Sequence, residues 1–419
     1  MLEFSKKVLD NGVRLYLYSD KNLKRTFVSY SVKFGSNGLF NDFYYKNKRC
    51  KIPFGMAHFL EHTLIEKSKF GNMLHYFADE GYVTNGATYD ELTSFYFYGI
   101  DNIHDSIKKL IHMVDMPVFN REDIEKVKPA VIEELSGRYD DKFSKVFASN
   151  QRNMFKTIEM AHSSFNVLGT KSRTQKFTYE EVKLAYDAYY HDENKILVIA
   201  GNIDESEMLN YVTEIYKNIK RHPNNLKKVK RKNLLEVRKS QEIIPYQIKG
   251  PSLAIRSYKF ENKKKIDPNK LSLYLLIYNF LKFNSGTKFI EELVTNKKLI
   301  YMDYLVDFIE NIDGFYLIRY IVESNDCNAV FEKLEKELNT DGLSKEKFEQ
   351  RKKFLIVQNI KKRDYIYNMF GSFTYKLFFT EKLDEVDLIR SLDYDEMLSI
   401  IKDMKFDIFS TSIIEYKTS

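Results

Sequence analysis

The sequence has few cysteines, no long apolar run and no secretion signal at its start. Its two cysteines, Cys50 and Cys327, lie far apart, which excludes both a disulfide framework and a cysteine-rich metal site. No stretch approaches the roughly 20 apolar residues that a membrane-spanning helix needs. The first residues, MLEFSKKVLDNGVRLYLYSD, lack the apolar core of a signal peptide. We therefore expect a protein of the reducing cytoplasm that makes no use of a membrane.

The sequence also has little surplus charge. Lys and Arg total 66 against 59 Asp and Glu, which gives a net charge of +7 over 419 residues. That surplus is too small to indicate a nucleic-acid partner. Residues 217–239 contain ten Lys or Arg and one acid, without the interleaved aromatic residues of a nucleic-acid surface. We interpret residues 216–240 as a solvated basic linker.

What the sequence does contain is typical of a globular protein. Hydrophobic residues make up 43%, aromatic residues 15% and charged residues 30%, which excludes a disordered or collagen-like chain. A domain commonly takes about 100–200 residues, so 419 residues indicate two domains or one duplicated architecture.

The order of predicted elements favours a duplication. Strand-like alternation and helix-spaced apolar residues are interleaved before the linker and again after it. Before the linker they fall at 13–18, 27–32, 94–98, 104–116 and 121–137, and after it at 253–260, 271–283 and 314–322. Residues 119–125 also resemble residues 343–349, at an offset of 224. The sequence therefore predicts an α+β N-terminal domain over 1–215 and a duplicated C-terminal domain over 241–419.

The segment from Gly55 to Leu64 carries the sharpest chemical pattern, within a predicted helix. His58 and His62 are i and i+4, so their imidazoles leave the same helix face and can reach one metal ion. Glu61 lies beside them, where it can take a proton from a metal-bound water. The alternative is a surface helix that carries these residues by chance.

A third ligand is predicted on the helix from Arg121 to Gly137. At 100° per residue, Glu134 lies on the apolar side of Val131 and Ile124, whereas Glu133 points away. Glu134 is therefore the candidate that can face another element. The alternative is a partly buried acid that pairs with a basic side chain.

These residues resemble the pitrilysin-type inverzincin metallopeptidases over nearly the whole chain. The matches are the His-x-x-Glu-His motif at 58–62, Glu134 after a further 71 residues, Asn85-Gly86-Ala87-Thr88, Leu168-Gly169-Thr170, Tyr190-His191 and the strand at 196–202. The resemblance implies two similar halves, each a sandwich-like, mostly antiparallel mixed sheet with packed helices, in a clam-like assembly. It also implies one Zn²⁺ per chain, bound by His58, His62 and Glu134, with Glu61 as general base.

The resemblance further implies a substrate site and a partner. Asn85 and the backbone of Gly86 would hold a peptide that adds as a strand to a sheet edge. Tyr301 aligns with a catalytic tyrosine of the family. Two such chains usually enclose one chamber, and the C-terminal half is expected to hold no metal ligands.

Two positions depart from the family pattern. Val127 replaces a second glutamate that supports the metal site, and Val294 replaces an arginine that lies seven residues before the tyrosine. We therefore predict a zinc endopeptidase for short or unfolded peptides that works in a heterodimer with a related chain. The alternative is a weakly active or inactive member that acts as a binding or scaffolding subunit of a peptidase complex.

Overall fold

The periodic apolar segments form strands and helices close to the predicted limits. The structure, a computed structural model, describes residues 4–101, 103–139, 141–156, 169–229, 236–246, 250–309, 315–340, 342–364, 374, 376–378 and 385–416. Contacts divide the chain into two units, of which the first comprises residues 1–138, 162–230 and 365–383. The second comprises residues 139–161, 231–364 and 384–419.

The described strands and helices are interleaved in groups along the chain. The strands are β1 (Ser5–Val8), β2 (Arg14–Ser19), β3 (Thr26–Val32), β4 (Asp42–Tyr45), β5 (Lys48–Lys51), β6 (Val83–Thr88), β7 (Thr93–Gly99), β8 (Lys195–Gly201), β9 (Leu226–Lys228), β10 (Gln241–Tyr246), β11 (Ser252–Glu261), β12 (Tyr301–Ile309), β13 (Phe315–Ser324) and β14 (Phe409–Tyr416). The helices are α1 (Met56–Glu66), α2 (Met73–Asp79), α3 (Ile103–Asp115), α4 (Arg121–Tyr139), α5 (Lys142–Asn153), α6 (Lys171–Thr174), α7 (Tyr179–Tyr189), α8 (Glu205–Lys217), α9 (Pro268–Phe283), α10 (Lys288–Thr295), α11 (Cys327–Leu338), α12 (Lys345–Asp364), α13 (Val386–Arg390) and α14 (Tyr394–Lys402).

The first unit is built on a six-stranded sheet in the order β1-β2-β8-β3-β7-β6. Its central strands β3 and β8 are buried along their whole length, which explains the nearly continuous apolar sequence of β8. β6 lies at the edge and pairs with β7. A smaller sheet has the order β5-β4-β9, so residues 226–228 of the predicted linker pair with β4.

The second unit repeats this arrangement. Its sheet has the order β10-β14-β11-β13-β12, and β10 is parallel to β14 as β2 is to β8. The antiparallel neighbours β14-β11-β13-β12 correspond in the same way to β8-β3-β7-β6. The prediction of an α+β protein with two similar halves is therefore confirmed.

Helices cover both faces of the second sheet. Alternate residues such as Ala254 and Tyr258 face the main helical core, whereas Leu253 and Ile255 pack with Val146 of α5. The helix α5 thus belongs to the second unit, although it directly follows a helix of the first. The predicted domains 1–215 and 241–419 are continuous segments, whereas each unit of the structure combines three segments of the chain. The domain limits therefore remain a prediction.

Asn150 connects α5 to the second sheet through side-chain hydrogen bonds. Its side chain is fully buried, and its Nδ2 donates hydrogen bonds to the carbonyl oxygens of Ile255, at 3.1 Å, and Ser410, at 2.9 Å. Its Oδ1 accepts hydrogen bonds from Arg319 and Ser257. One amide therefore satisfies groups on three strands of the sheet.

Asn150→Ala is expected to destabilise the second unit by about 3 kcal/mol, because an unsatisfied buried polar group costs roughly 1–3 kcal/mol and several partners are lost. Urea unfolding followed by circular dichroism measures the effect. Asn328→Ala, at an exposed position of α11, is the matched control and should change the free energy of unfolding by less than about 0.5 kcal/mol. Equal effects of the two substitutions would contradict the role of Asn150.

Within the described ranges, no helix is both long and apolar enough to cross a lipid bilayer.

Candidate metal centre

The helix α1 presents both motif histidines on one face. It begins after Gly55, whose φ of 84° lies in the left-handed region that glycine tolerates. The apolar residues Met56, Phe59, Leu60 and Leu64 are buried and fix the rotation of the helix. The rings of His58 and His62 meet edge to face with centroids 4.7 Å apart.

The helix α4 brings Glu134 to these rings. Its buried face carries Ile124, Val127 and Val131, and the helix continues through Pro129. Glu134 Oε2 lies 3.3 Å from His58 Nε2 and 3.4 Å from His62 Nε2. The helix face that the sequence singles out is therefore the face that meets α1.

The three side chains fit a zinc ion. Ligand atoms about 2.0–2.2 Å from a tetrahedral zinc ion lie about 3.3–3.6 Å from one another, and the two measured separations from Glu134 agree with this. The three candidate ligand atoms all lie within 4.8 Å of one another. Two imidazoles and one carboxylate also leave a fourth position for water, as catalytic zinc sites do. Among the described residues, these three side chains are the group of His, Cys, Asp or Glu whose ligand atoms lie close enough together to share one metal ion.

The electrostatics of the cluster favour a positive charge between the rings. Hydrogen bonds from His58 and His62 hold the pKa of Glu134 well below its usual range. Burial alone would lower the pKa of His62, but its hydrogen bonds with Glu134 and Glu66 outweigh burial and raise the pKa to about 9. The carboxylates thus stabilise a cation at this point of the first unit.

Glu66 is a candidate supporting residue that the sequence analysis missed. Its Oε1 lies 3.3 Å from His62 Nδ1, on the side of the ring opposite Glu134. A carboxylate in this position orients a ligand histidine and increases its basicity. The spacing of four residues after His62 was the available signal, but the family pattern directs attention to position 127 instead. There the structure has a fully buried valine, which contributes to the core of α4.

Glu66→Gln is expected to weaken zinc binding 10–100-fold, the usual cost of losing such an outer carboxylate. Competition with a chromophoric chelator measures the affinity. Glu133→Gln is the matched control, since Glu133 is exposed and lies beside a candidate ligand without facing the histidines. An unchanged zinc affinity in Glu66→Gln would show that Glu66 does not support His62.

Glu61 is buried next to the histidines and faces the edge strand β6. It is 5% exposed, and burial raises the pKa of its carboxyl group against the opposing effects of His58 and Thr88. Thr88 Oγ1 donates a 2.6 Å hydrogen bond to Glu61 Oε2. A buried carboxylate beside the candidate metal position is suited to the general-base role that the sequence predicts for Glu61.

The predicted substrate-binding residues lie on this same strand. The side chain of Asn85 is exposed, whereas Thr84, Gly86 and Thr88 alternate with it toward α1. β6 pairs with β7 along one edge, and no other described strand pairs with its second edge. The main chain of Asn85 and Gly86 therefore lies in a strand that can accept an added peptide strand.

Tyr301 and Val294 lie in the second unit. Tyr301 begins the edge strand β12, is half exposed, and donates a 3.0 Å hydrogen bond to Asp303 Oδ2. Val294 is exposed near the end of α10. The catalytic role of Tyr301 remains a prediction.

The helix with His-x-x-Glu-His, the later glutamate and the duplicated α+β fold together define an inverzincin-type metallopeptidase architecture. Comparison with known proteins agrees. Residues 176–355 match the family model described as "Peptidase M16 inactive domain". This match supports the resemblance to the pitrilysin-type peptidases, family M16, that the sequence motifs indicate. The matched range does not include His58, Glu61, His62 or Glu134, so the word "inactive" in that description does not refer to the candidate metal centre.

One similar curated protein is the "Uncharacterized zinc protease YmfH" of Bacillus subtilis (strain 168), 26% identical over 277 residues. These residues are 64% of this chain and 63% of YmfH, so the match spans less than two thirds of that relative. Among solved structures, an M16-like peptidase from Alicyclobacillus acidocaldarius has the same fold, with a TM-score of 0.86 at 18% identity over 99% of this chain and 98% of that one.

The periplasmic protease PqqL from Escherichia coli shares the fold in only part of its chain. The likeness has a TM-score of 0.72 at 14% identity, and it covers 98% of this chain but 47% of PqqL. A structure of the first half of PqqL is covered to 91%. This chain therefore corresponds in fold to half of that larger protease.

Proposed function

We propose that this chain is a zinc-dependent endopeptidase that hydrolyses short or unfolded peptides. The observation that carries the proposal is the meeting of His58, His62 and Glu134 at zinc-ligand separations, with Glu61 buried beside them. One zinc ion per chain would be held by these three side chains. The resemblance to the pitrilysin-type peptidases supports the same reaction class.

Zinc bound at such a site lowers the pKa of a coordinated water to about 7 and polarises a substrate carbonyl. Side chains of this protein would transfer the proton and hold the reacting groups in position. Glu61 would accept the proton of the attacking water on its carboxylate and pass it to the amide nitrogen that leaves. Glu66 would keep the ring of His62 fixed through Nδ1, and Thr88 would hold the carboxylate of Glu61.

The substrate would bind as an added strand on β6. The main chain of Asn85 and Gly86 would hydrogen-bond to it, which requires an extended peptide backbone. A folded protein rarely offers such a segment, because its strands are already paired. Short or unfolded peptides are therefore the substrate class that this edge favours.

We further propose that the chain works with a related partner chain in the cytoplasm. Val294 lacks the donor that the family places before Tyr301, and loss of one oxyanion donor typically costs 10²–10³ in rate. A partner with an intact Arg and Tyr would supply it, whereas a second copy of this chain would not. The correspondence of this chain's fold to about half of PqqL supports a related partner. Two unpaired cysteines agree with a reducing compartment.

A binding or scaffolding role within a peptidase complex is the second candidate. The observations that favour it are the apolar residues at 127 and 294, where active members carry charged side chains. Under this reading the metal cluster would stabilise the first unit without turnover.

The test is hydrolysis of a mixture of unstructured peptides by the zinc-loaded chain, alone and with a co-expressed related chain. We expect strong hydrolysis only from the pair, with loss of activity on chelation. Vigorous hydrolysis by the chain alone would contradict the heterodimer but support the peptidase. Absence of hydrolysis in both samples, with zinc bound, would contradict the peptidase and favour the scaffolding role.

A further inference from the structure

We propose that Gly86 and Thr88 form a cradle that sets the position of the Glu61 carboxylate, so that β6 aligns the general base as well as the substrate. The proposal rests on the proposed function of Glu61. Both residues are positioning residues, because they act through Glu61 and not on the peptide bond.

The first element of the cradle is the missing side chain at Gly86. An ideal Cβ on Gly86 would lie 2.6 Å from Glu61 Oε1 and 2.5 Å from Ile65 Cδ1. Real Cβ atoms essentially never approach other heavy atoms so closely, so a side chain at this position would require the ends of the Glu61 and Ile65 side chains to shift. The main chain of Gly86 does not adopt a positive φ. The absence of a side chain at Gly86 therefore matters for the position of the Glu61 carboxylate and not for the backbone conformation.

The second element is the hydroxyl group of Thr88. Its single proton is donated to Glu61 Oε2 at 2.6 Å. The neighbouring Thr93 Oγ1 lies farther from Thr88 Oγ1, at 3.3 Å, and donates its own proton to the carbonyl oxygen of Phe34 at 2.8 Å. The branched Cβ of threonine restricts rotation about χ1, which keeps Oγ1 on the side of the Glu61 carboxylate.

The two oxygens of the Glu61 carboxylate differ in their hydrogen bonding. Oε2 is held by Thr88, whereas no donor in the described part of the chain reaches Oε1. Oε1 therefore remains the oxygen that can accept a proton from water. Since a misplacement of about 1 Å can cost 10²-fold in rate, both contacts should affect kcat more than KM.

The strand offers a matched control. Thr84 lies on the same face of β6, two residues before Gly86, but its hydroxyl donates a 3.0 Å hydrogen bond to the carbonyl oxygen of Tyr96. Thr84→Val and Thr88→Val thus remove the same atom from the same strand. Only the second removes a contact with Glu61.

The experiment compares Thr88→Val, Thr88→Ser and Thr84→Val, each zinc-loaded and assayed with the partner chain if one is needed. Thr88→Val should lower kcat about 10–100-fold with unchanged KM and zinc content. Thr88→Ser should recover most of the loss, and Thr84→Val should match the unchanged protein. A Thr88→Val protein with unaltered kcat would overturn the proposal, as would an equal loss in Thr84→Val.

A second readout keeps the proposal testable if no hydrolysis is found. Crystal structures of zinc-free Gly86→Ala and Thr88→Val should show the Glu61 carboxylate displaced, with the backbone of β6 in place. The carboxylate should keep its position in Thr84→Val. An undisplaced carboxylate in both cradle variants would refute the cradle even if the peptidase is real. A displaced carboxylate in a protein without hydrolysis would support the cradle and contradict the proposed function.

Discussion

Replacing Glu61 with glutamine should abolish peptide hydrolysis while zinc stays bound. Glutamine has nearly the same shape and can still accept a hydrogen bond from Thr88, but it cannot accept the proton of the attacking water. Removal of a general base typically costs 10²–10⁴ in rate. The measurement is the rate of peptide hydrolysis together with the zinc content of the purified protein.

The control for this substitution is Glu133→Gln, which makes the same chemical change at an exposed position of α4. It should leave both turnover and zinc content unchanged. Undiminished hydrolysis in Glu61→Gln would remove Glu61 from the mechanism. Loss of zinc together with activity would show that Glu61 stabilises the metal site instead.

Replacing His58 with alanine should reduce the zinc content from one ion per chain to nearly none, and hydrolysis should be lost with it. Two remaining protein ligands do not make the three-ligand set that catalytic zinc sites use. The metal content of dialysed protein, measured by elemental analysis, tests this expectation. A far-ultraviolet circular dichroism spectrum reports whether the variant still folds.

His75→Ala is the control, because His75 is exposed on α2 and belongs to no cluster of candidate ligands among the described residues. It should keep one zinc ion per chain. Full zinc occupancy in His58→Ala would contradict the ligand set, whatever the effect on activity.

Local patterns in the sequence were sufficient to predict the parts of the fold that rest on short-range periodicity. The apolar side of α4 gave the face on which Glu134 lies, because helix geometry alone relates Ile124, Val131 and Glu134. The duplication was visible in the repeated order of elements, and the two sheets confirm it strand by strand.

Contacts between distant segments were not predictable in the same way. The side chain of Asn150 joins α5 to strands more than 100 residues away, and no periodic pattern encodes such a pairing. The segment 226–228 contains few apolar residues and reads as linker, yet main-chain hydrogen bonding to β4 makes it a strand. Backbone pairing of this kind depends little on side-chain type.

The candidate site likewise combines a part that local sequence patterns predict with a part that depends on contacts between distant segments. Its histidines follow from a spacing of four, whereas the contact of Glu61 with Gly86 depends on how closely α1 and β6 approach. The sequence identified Gly86 as a substrate contact through the family resemblance. Only the structure shows that Gly86, which has no side chain, also leaves space for the carboxylate of Glu61.

The most direct test of the account is an anomalous diffraction map of zinc-soaked crystals, recorded at the zinc absorption edge. The account predicts one strong peak per chain, within about 2.2 Å of His58 Nε2, His62 Nε2 and a carboxylate oxygen of Glu134. The absence of a peak at these residues, or a zinc ion bound instead by residues 241–419, would contradict it.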